Sequence, residues 1–249
     1  MHISISAESI FHIGSIPFTN SMLAAWLVFG LLFLLSFLAT RKMENIPKGL
    51  QNISEYIIEA LFNLTEGITK DRKLTKKIFP LVATFFIFIL FNNWMGLLPG
   101  FGSVGFHETN AEGHQVLVPL LRAGTADLNT TIAIAIVTVI AVQVMGIAAI
   151  GVKKYAGKFI NFSSPVNFFV GIIETISEVS RIISYSFRLF GNVFAGEVLL
   201  AVMSTLVPYF IPLPFYIMEI FVGAVQALVF TMLSIVFMSM ATVVHSESH

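Results

Sequence analysis

Apolar residues are concentrated in five long runs along the chain, separated by polar segments. The runs span residues 21–40, 78–98, 129–152, 166–206 and 215–244. About 20 helical residues are enough to cross a hydrocarbon core of about 30 Å, and the first three runs have that ordinary length. The pattern predicts an all-α integral membrane protein with about five membrane segments, which form a single membrane domain, 1–249. Within it, residues 1–20 are expected to form an N-terminal segment outside the membrane.

The last two runs are too long to stand upright in a bilayer. They contain 41 and 30 residues, which correspond to helices of about 60 and 45 Å at about 1.5 Å per residue. Fitting them into the hydrocarbon requires a tilt well beyond the usual ~20°. Pro208, Pro212 and Pro214 lie between them and favour a turn. We therefore predict a long, steeply tilted helical hairpin.

The segment 50–67 has a different pattern, with apolar residues on a single helical stripe. The stripe consists of Leu50, Ile53, Ile57, Leu61 and Leu64. Such a segment is typical of an amphipathic helix that lies on the membrane surface. A helix packed on a protein partner would show the same pattern, and both interpretations stay open.

Composition supports the membrane assignment. The chain is 56% hydrophobic and 11% charged, with a mean hydropathy of +0.87, so it needs lipid to cover it. A formal net charge of zero gives no basic footprint for nucleic acid, and the absence of cysteine excludes disulfides, thiolate metal sites and thiol nucleophiles. No metal or cofactor site is expected. The first twenty residues lack the features of a cleaved signal, so we expect the first run to be retained as a span.

Basic residues predict the orientation. Eight lie between residues 41 and 77 and three between 153 and 158, and five spans place these two loops on the same side. The positive-inside rule then puts the N-terminus outside and the C-terminus in the cytoplasm. Arg122 is the one basic residue on the opposite side. We expect a multi-pass protein of the cell (inner) membrane, bacterial rather than organellar.

Polar residues in the fourth run recur every three or four positions and so share one helix face. They are Glu174, Glu178, Arg181, Tyr185, Arg188 and Asn192. Arg181 can pair along the helix with a preceding glutamate. The carboxylates nearest to Arg188 in sequence, Glu178 and Glu197, are ten and nine residues away. Because an unpaired arginine at a helix centre costs about 2.5–3.5 kcal/mol, a partner from another helix or another chain is expected.

The fifth run adds Glu219 and Gln226 on a common face. An antiparallel hairpin can bring Glu197 near Glu219 and Arg188 near Gln226. Two carboxylates close together in low dielectric do not both ionise easily, so a shared proton would suit a relay. The alternatives are a hydrogen-bonded packing role for Glu197 and a helix-to-helix bridge for Gln226.

Several ordered motifs carry a resemblance to a known family. They are RLFGN at 188–192, AGE at 195–197, Gln226-Ala227, Asn93 before LLP at 97–99, and TADLN at 125–129. In this order, over roughly residues 20–245, they resemble subunit a of the membrane sector of rotary F-type ATP synthases. That subunit is the stator that faces the rotating ring of c subunits.

The resemblance implies a proton-conducting stator with two offset half-channels. Arg188 would face the c-ring carboxylates and prevent a direct leak. The outer half-channel would use Asn192, Glu197, Glu219 and Gln226, with Asp127 and Asn129 near its mouth, and the inner one Glu174 and Glu178. The implied partners are the c-ring, the peripheral-stalk b subunits, the remaining ATP synthase subunits and the lipid bilayer. The subunit itself would not be an enzyme, although its complex makes ATP from ADP and phosphate. Protons are the default coupling ion, with Na⁺ as the alternative.

One departure from the family pattern lies in the relay. Family members often have histidine and glutamate, in either order, where this chain has Glu197 and Glu219. The competing class is a self-contained ion channel or secondary transporter in which Arg188 pairs internally with one of these glutamates. Such transporters often contain internal repeats, and none is visible here. An intramembrane enzyme has no supporting motif, such as HExxH or a glycine-rich phosphate loop.

Overall fold

The computed structural model describes residues 7–13, 16–98, 104–109, 115–159, 164–207, 210 and 212–242. Five helices in this part of the chain are long and apolar enough to cross a membrane: α1 (Asn20–Thr40), α3 (Arg72–Met95), α4 (Leu128–Ile150), α6 (Pro165–Leu206) and α7 (Pro212–Thr242). A sixth long helix, α2 (Leu50–Thr69), connects α1 to α3. The predicted all-α membrane fold is confirmed.

The structure also contains short elements that the sequence pattern did not predict. Two antiparallel hairpins pair β1 (Ser9–Ile13) with β2 (Ile16–Thr19) and β3 (Gly105–Thr109) with β4 (Gln115–Pro119). A short helix, α5 (Val152–Phe159), and a 3-10 turn (Gly124–Ala126) complete the described elements. Apart from Val152, the first residue of α5 and the last of the third run, they lie outside the five apolar runs, where hydropathy carries no signal.

Helix ends differ from the predicted bounds for local reasons. Helix α3 begins at Arg72 rather than at 78, because the Asp71 carboxylate accepts a hydrogen bond from the Lys73 N–H at 2.8 Å and caps the helix. Its first turns are therefore basic, and the hydropathy pattern does not include them. Helix α7 begins at Pro212, within the predicted turn. Proline is tolerated there because N–H groups in a first helical turn have no partner within the helix. Pro208 lies outside the described residues.

The amphipathic helix α2 divides into two parts. Leu61 and Thr65 are buried in its C-terminal half, where the helix contacts α3 and α7. Leu50, Ile53 and Ile57 of the same stripe are exposed in its N-terminal half. The C-terminal half therefore fits the interpretation of a helix packed on protein. The N-terminal half presents apolar side chains outward, as a helix bound to a membrane surface does.

The buried core lies between α3, α4, α6 and α7. It is built from aliphatic side chains around Phe230, whose ring lies 6.0 Å from Phe85 and 4.7 Å from Tyr185, measured between centroids. On the outer surfaces the exposed residues are themselves apolar, as with Phe29, Phe33 and others. Such a surface matches lipid tails rather than water. The core holds the α6–α7 hairpin against α3 and α4 and positions the polar residues described next.

Candidate ion-translocation site

The register of the α6–α7 hairpin brings the two relay glutamates to the same level. Gly196 lies against Glu219, and a Cβ atom at Gly196 would overlap the Glu219 carboxylate. Because Glu197 is the next residue, the structure agrees with the register derived from the sequence. Further along, the Asn192 side-chain amide donates to Gln226 Oε1 at 3.5 Å. Gln226 thus meets Asn192, about one turn from its predicted neighbour Arg188.

Glu197 and Glu219 line a common small cavity. It has a volume of about 30 Å³, and its polar lining also includes Asn93 of α3 and Asn192 of α6. This is roughly the space for two water molecules, and the lining groups can supply the hydrogen bonds that buried water needs. Three of the residues predicted for the outer half-channel therefore lie together at a cavity that can hold water.

Glu197 has an ion-pair partner, Arg122, that no sequence motif indicated as a site residue. Arg122 donates to Glu197 Oε2 from Nη2 at 3.2 Å and from Nε at 3.3 Å. The Arg122 guanidinium also lies 5.8 Å from the centre of the Phe194 ring. The side chain is only 8% exposed. One feature of the sequence could have pointed to Arg122: it is the one Lys or Arg in the loops that are predicted to lie outside, and it is flanked by the apolar residues Leu121 and Ala123.

Helix α3 holds the segment that carries Arg122. The Asn93 amide donates to the Gly223 carbonyl of α7 at 2.9 Å, and its oxygen accepts from the Thr125 hydroxyl at 2.8 Å. Gly96 allows close approach, since a Cβ there would meet Ala123. Asn93 and Thr125 belong to motifs of the resemblance, and the structure shows that they join α3, the 3-10 turn and α7 around the cavity.

Asp127 and Asn129 are not brought to this cavity. The Asp127 carboxylate caps α4 by accepting from the Asn129 N–H at 3.1 Å, and it accepts from the Ser21 hydroxyl of α1 at 2.8 Å. The residue is buried. Both residues instead line an open groove beside α1. These contacts give Asp127 a defined structural role, in capping α4 and joining it to α1.

Arg188 lies on the outward face of α6. Its Nη2 donates to the Ser184 hydroxyl at 3.3 Å, and the neighbouring Ile183 and Phe187 are 53% and 56% exposed. Within the described part of the chain Arg188 forms no ion pair. Glu197, one of its two expected internal partners, is paired with Arg122 instead.

Polar groups at the other end of α6 are paired locally. Arg181 donates to Glu178 at 2.5 Å, three residues earlier, and its guanidinium lies 4.5 Å from the centre of the Phe237 ring. The predicted pairing of Arg181 along its helix is confirmed. Glu174 pairs at 2.6 Å with Lys158 of α5, a residue that the sequence analysis assigned to a loop.

Tyr155 connects α5 to this group of polar residues. Its hydroxyl donates to Gln143 Oε1 of α4 at 2.5 Å, and its ring packs so closely on α4 that a Cβ at Gly146 would overlap it. Burial raises the pKa of the Tyr155 phenol above its ordinary value, and the negative charge of Glu178 adds to the rise. Tyr155 is therefore a neutral hydrogen-bond donor throughout the physiological range.

The structure has five apolar helices long enough to span a membrane, and three of them, α3, α6 and α7, contribute to a polar cavity. Arginine and glutamate side chains also lie within these segments, which defines the class as a polytopic membrane protein of the kind that moves ions. The family model described as "ATP synthase A chain" matches residues 22–239. The chain is 35% identical to ATP synthase subunit a of Moorella thermoacetica, over 92% of this chain and 94% of that protein. ATP synthase subunit a of Campylobacter jejuni subsp. doylei is 35% identical over 85% and 84%, and that of Gloeobacter violaceus 34% over 92% and 86%.

The chain therefore belongs to the ATP synthase subunit a family, and the resemblance noted in its sequence motifs is confirmed. Membership assigns it to the proton-translocating membrane sector of ATP synthase, with other subunits of that complex as partners. The spanning helices and the bacterial relatives indicate a multi-pass bacterial membrane protein.

Proposed function

We propose that this chain is the proton-conducting stator of a rotary ATP synthase and that Arg188 faces the carboxylates of a passing c-ring. The observation that carries the proposal is the position of Arg188. It is exposed on α6 among apolar side chains, and it has no carboxylate partner in the described part of the chain. A guanidinium stays charged, so in lipid it needs an acidic partner from another chain.

The competing function, a self-contained channel or transporter, required Arg188 to pair with Glu197 or Glu219. Glu197 instead accepts from Arg122, and the Glu219 carboxylate packs against Gly196. Since neither glutamate pairs with Arg188 in the described part of the chain, a partner in trans is the simpler explanation for Arg188. A c-ring carboxylate that meets this arginine would be held in its ionised form, and protons could not pass directly from one half-channel to the other.

The outer half-channel on this proposal runs from the cavity of Glu197 and Glu219 towards Arg188. Asn192 and Gln226 are hydrogen-bonded to each other between the cavity and the level of Arg188. The Gln226 amide nitrogen is buried and has no hydrogen-bond partner among the described residues. It can therefore donate to water or to an incoming group. This continuous set of polar side chains supports a path for protons to the ring.

The inner half-channel would use Glu174 and Glu178 at the N-terminal end of α6. One Glu178 oxygen accepts from Arg181, and the other is buried with no partner among the described residues. That oxygen can accept from a water molecule or a proton carrier. The proposal keeps the N-terminus outside and the C-terminus in the cytoplasm, with the peripheral-stalk b subunits as further partners in the bacterial inner membrane.

ATP-driven acidification of inverted membrane vesicles tests the proposal. We expect Arg188→Ala in the native complex to lower proton pumping by at least roughly tenfold, the factor that corresponds to about 1.4 kcal/mol. ATP hydrolysis and assembly should persist. Ser184→Ala is the matched control, because it removes the hydroxyl that Arg188 contacts and leaves the charge. Wild-type pumping by an assembled Arg188→Ala complex would refute the role of Arg188.

A further inference from the structure

We propose that Arg122 is a positioning residue of the outer proton pathway: it holds Glu197 as a fixed anion and leaves Glu219 as the carboxylate that takes up and releases the proton. This inference rests on the proposed function, because it assigns separate roles to the two glutamates of the outer half-channel.

The contacts of the two glutamates are unequal. Glu197 Oε2 accepts from two nitrogens of Arg122, and that guanidinium is 8% exposed. Glu219 is 9% exposed and has no hydrogen bond or ion pair with any described residue. Its carboxylate lies between Gly196 and the cavity. A charge-assisted contact fixes the first carboxylate, whereas the second is placed to exchange with water.

The charge count of the cluster supports the same division. Among the described residues, the ionisable groups that line the cavity are Glu197 of α6 and Glu219 of α7, with Arg122 paired to Glu197, whereas the lining residues Asn93 and Asn192 are neutral. With both carboxylates ionised the cluster has one excess negative charge, and one bound proton makes it neutral. A low-dielectric site favours the neutral cluster. The proton goes to the carboxylate without a guanidinium, which is Glu219.

The ion pair between Arg122 and Glu197 is not needed to hold the segment that carries Arg122 in place. The Thr125 hydroxyl already donates to Asn93, and the Asn20 amide donates to the Pro119 carbonyl at 3.1 Å. The Leu120 N–H donates to the Val104 carbonyl at 2.9 Å. These bonds fix the backbone on both sides of Arg122. A variant that lacks the guanidinium should therefore retain the fold, and its effect on transport can be measured.

The test measures ATP synthesis by inverted vesicles under an imposed proton-motive force while the lumenal pH, which the outer half-channel senses, is varied. In Glu197→Gln, the ion pair between Arg122 and residue 197 is lost, and we expect the guanidinium to move toward Glu219, the remaining carboxylate at the cavity. Since a guanidinium favours the ionised carboxylate, protonation of Glu219 then needs a lower pH. We expect synthesis to fall about tenfold near neutral pH and its optimum to shift to lower lumenal pH.

The double variant Arg122→Gln/Glu197→Gln distinguishes this role from simple packing. It removes both charges, so Glu219 no longer has a guanidinium to pair with. We expect synthesis to rise at least about threefold above that of Glu197→Gln and the pH optimum to move back toward that of the wild type, since coupled groups give non-additive effects. Glu219→Gln should remain inactive with or without Arg122. A double variant that is no better than Glu197→Gln at every pH would overturn the inference, as would activity in Glu219→Gln.

Two further variants keep the result decisive if Glu197→Gln does not assemble. Arg122→Lys keeps a positive charge beside Glu197, and we expect it to exceed Arg122→Gln in synthesis by at least about threefold. Equal activity of these two variants would overturn the inference. All variants retain Arg188, so their outcome is separate from that of Arg188→Ala. If Arg188→Ala pumps normally, the stator proposal fails whatever Arg122 does.

Discussion

The two ends of α6 contain the same pair of chemical groups, a glutamate with an arginine, and they are built in different ways. At the inner end Glu178 and Arg181 are three residues apart on one helix. At the outer end Arg122 and Glu197 are separated by 75 positions and come from different elements. Of the two described pairs, the one formed by Arg122 and Glu197 has its glutamate at the small cavity that Glu219 also lines. A local pair can satisfy a buried charge, whereas the outer arrangement also leaves one carboxylate for exchange.

Arg188 lies between these two groups and belongs to neither. It faces outward with Ile183 and Phe187, and its described contact is with Ser184. Toward its N-terminal end α6 thus has one ion pair within the helix and one with α5, toward its C-terminal end it has one with Arg122, and in the middle we propose a second chain as the partner of Arg188. This order is what a stator requires, because an arginine paired within its own chain could not meet a moving ring.

Among the variants that compare the two ends of α6, the largest loss of proton pumping is expected from a change at Gly196, beside Glu219. In Gly196→Ala the new Cβ would overlap the Glu219 carboxylate and displace it from the cavity. Because the obstacle is the end of a flexible side chain, we expect assembly to persist while pumping falls by about tenfold. Gly30→Ala on α1 is the matched control, since a Cβ there meets no atom within 4 Å. Equal pumping by the two variants would show that the position of Glu219 does not matter.

A smaller effect is expected at the inner end. Glu178→Gln breaks a largely buried pair and leaves Arg181 against Phe237, so we expect pumping to fall about threefold, equivalent to ~0.7 kcal/mol. Glu59→Gln on α2 is the control, because Glu59 is exposed, lies outside the proposed pathway and forms no ion pair with a described residue. Its pumping should stay within about twofold of wild type. A reversed order of these two variants would remove Glu178 from the inner pathway.

The features that the sequence predicted are those set by local periodicity. The five apolar runs gave the spanning helices, and the spacing of Glu178 and Arg181 gave their ion pair. Helical rise on two antiparallel helices predicted Glu197 near the level of Glu219, and Gly196 does lie against Glu219. The second predicted contact, Arg188 with Gln226, is displaced by about one turn, because Gln226 meets Asn192. Arg122 could not be assigned in this way, because its position depends on the hydrogen bonds of Asn93 and Thr125 rather than on any repeat along the chain. Helix α5 was missed because its basic residues resemble a loop.

The smallest effect on pumping is expected at Asp127. This prediction decides whether the outer pathway extends to that residue. As the cap of α4 it can be replaced by asparagine, whose oxygen can still accept from the Asn129 N–H, whereas alanine cannot. We expect Asp127→Ala to destabilise the chain by about 1 kcal/mol. Asp127→Asn should match wild type both in the temperature at which the subunit dissociates from the complex and in proton pumping. An asparagine cannot carry a proton as a carboxylate does. Reduced pumping by a normally stable Asp127→Asn complex would therefore place Asp127 in the pathway, near the mouth that the sequence predicted.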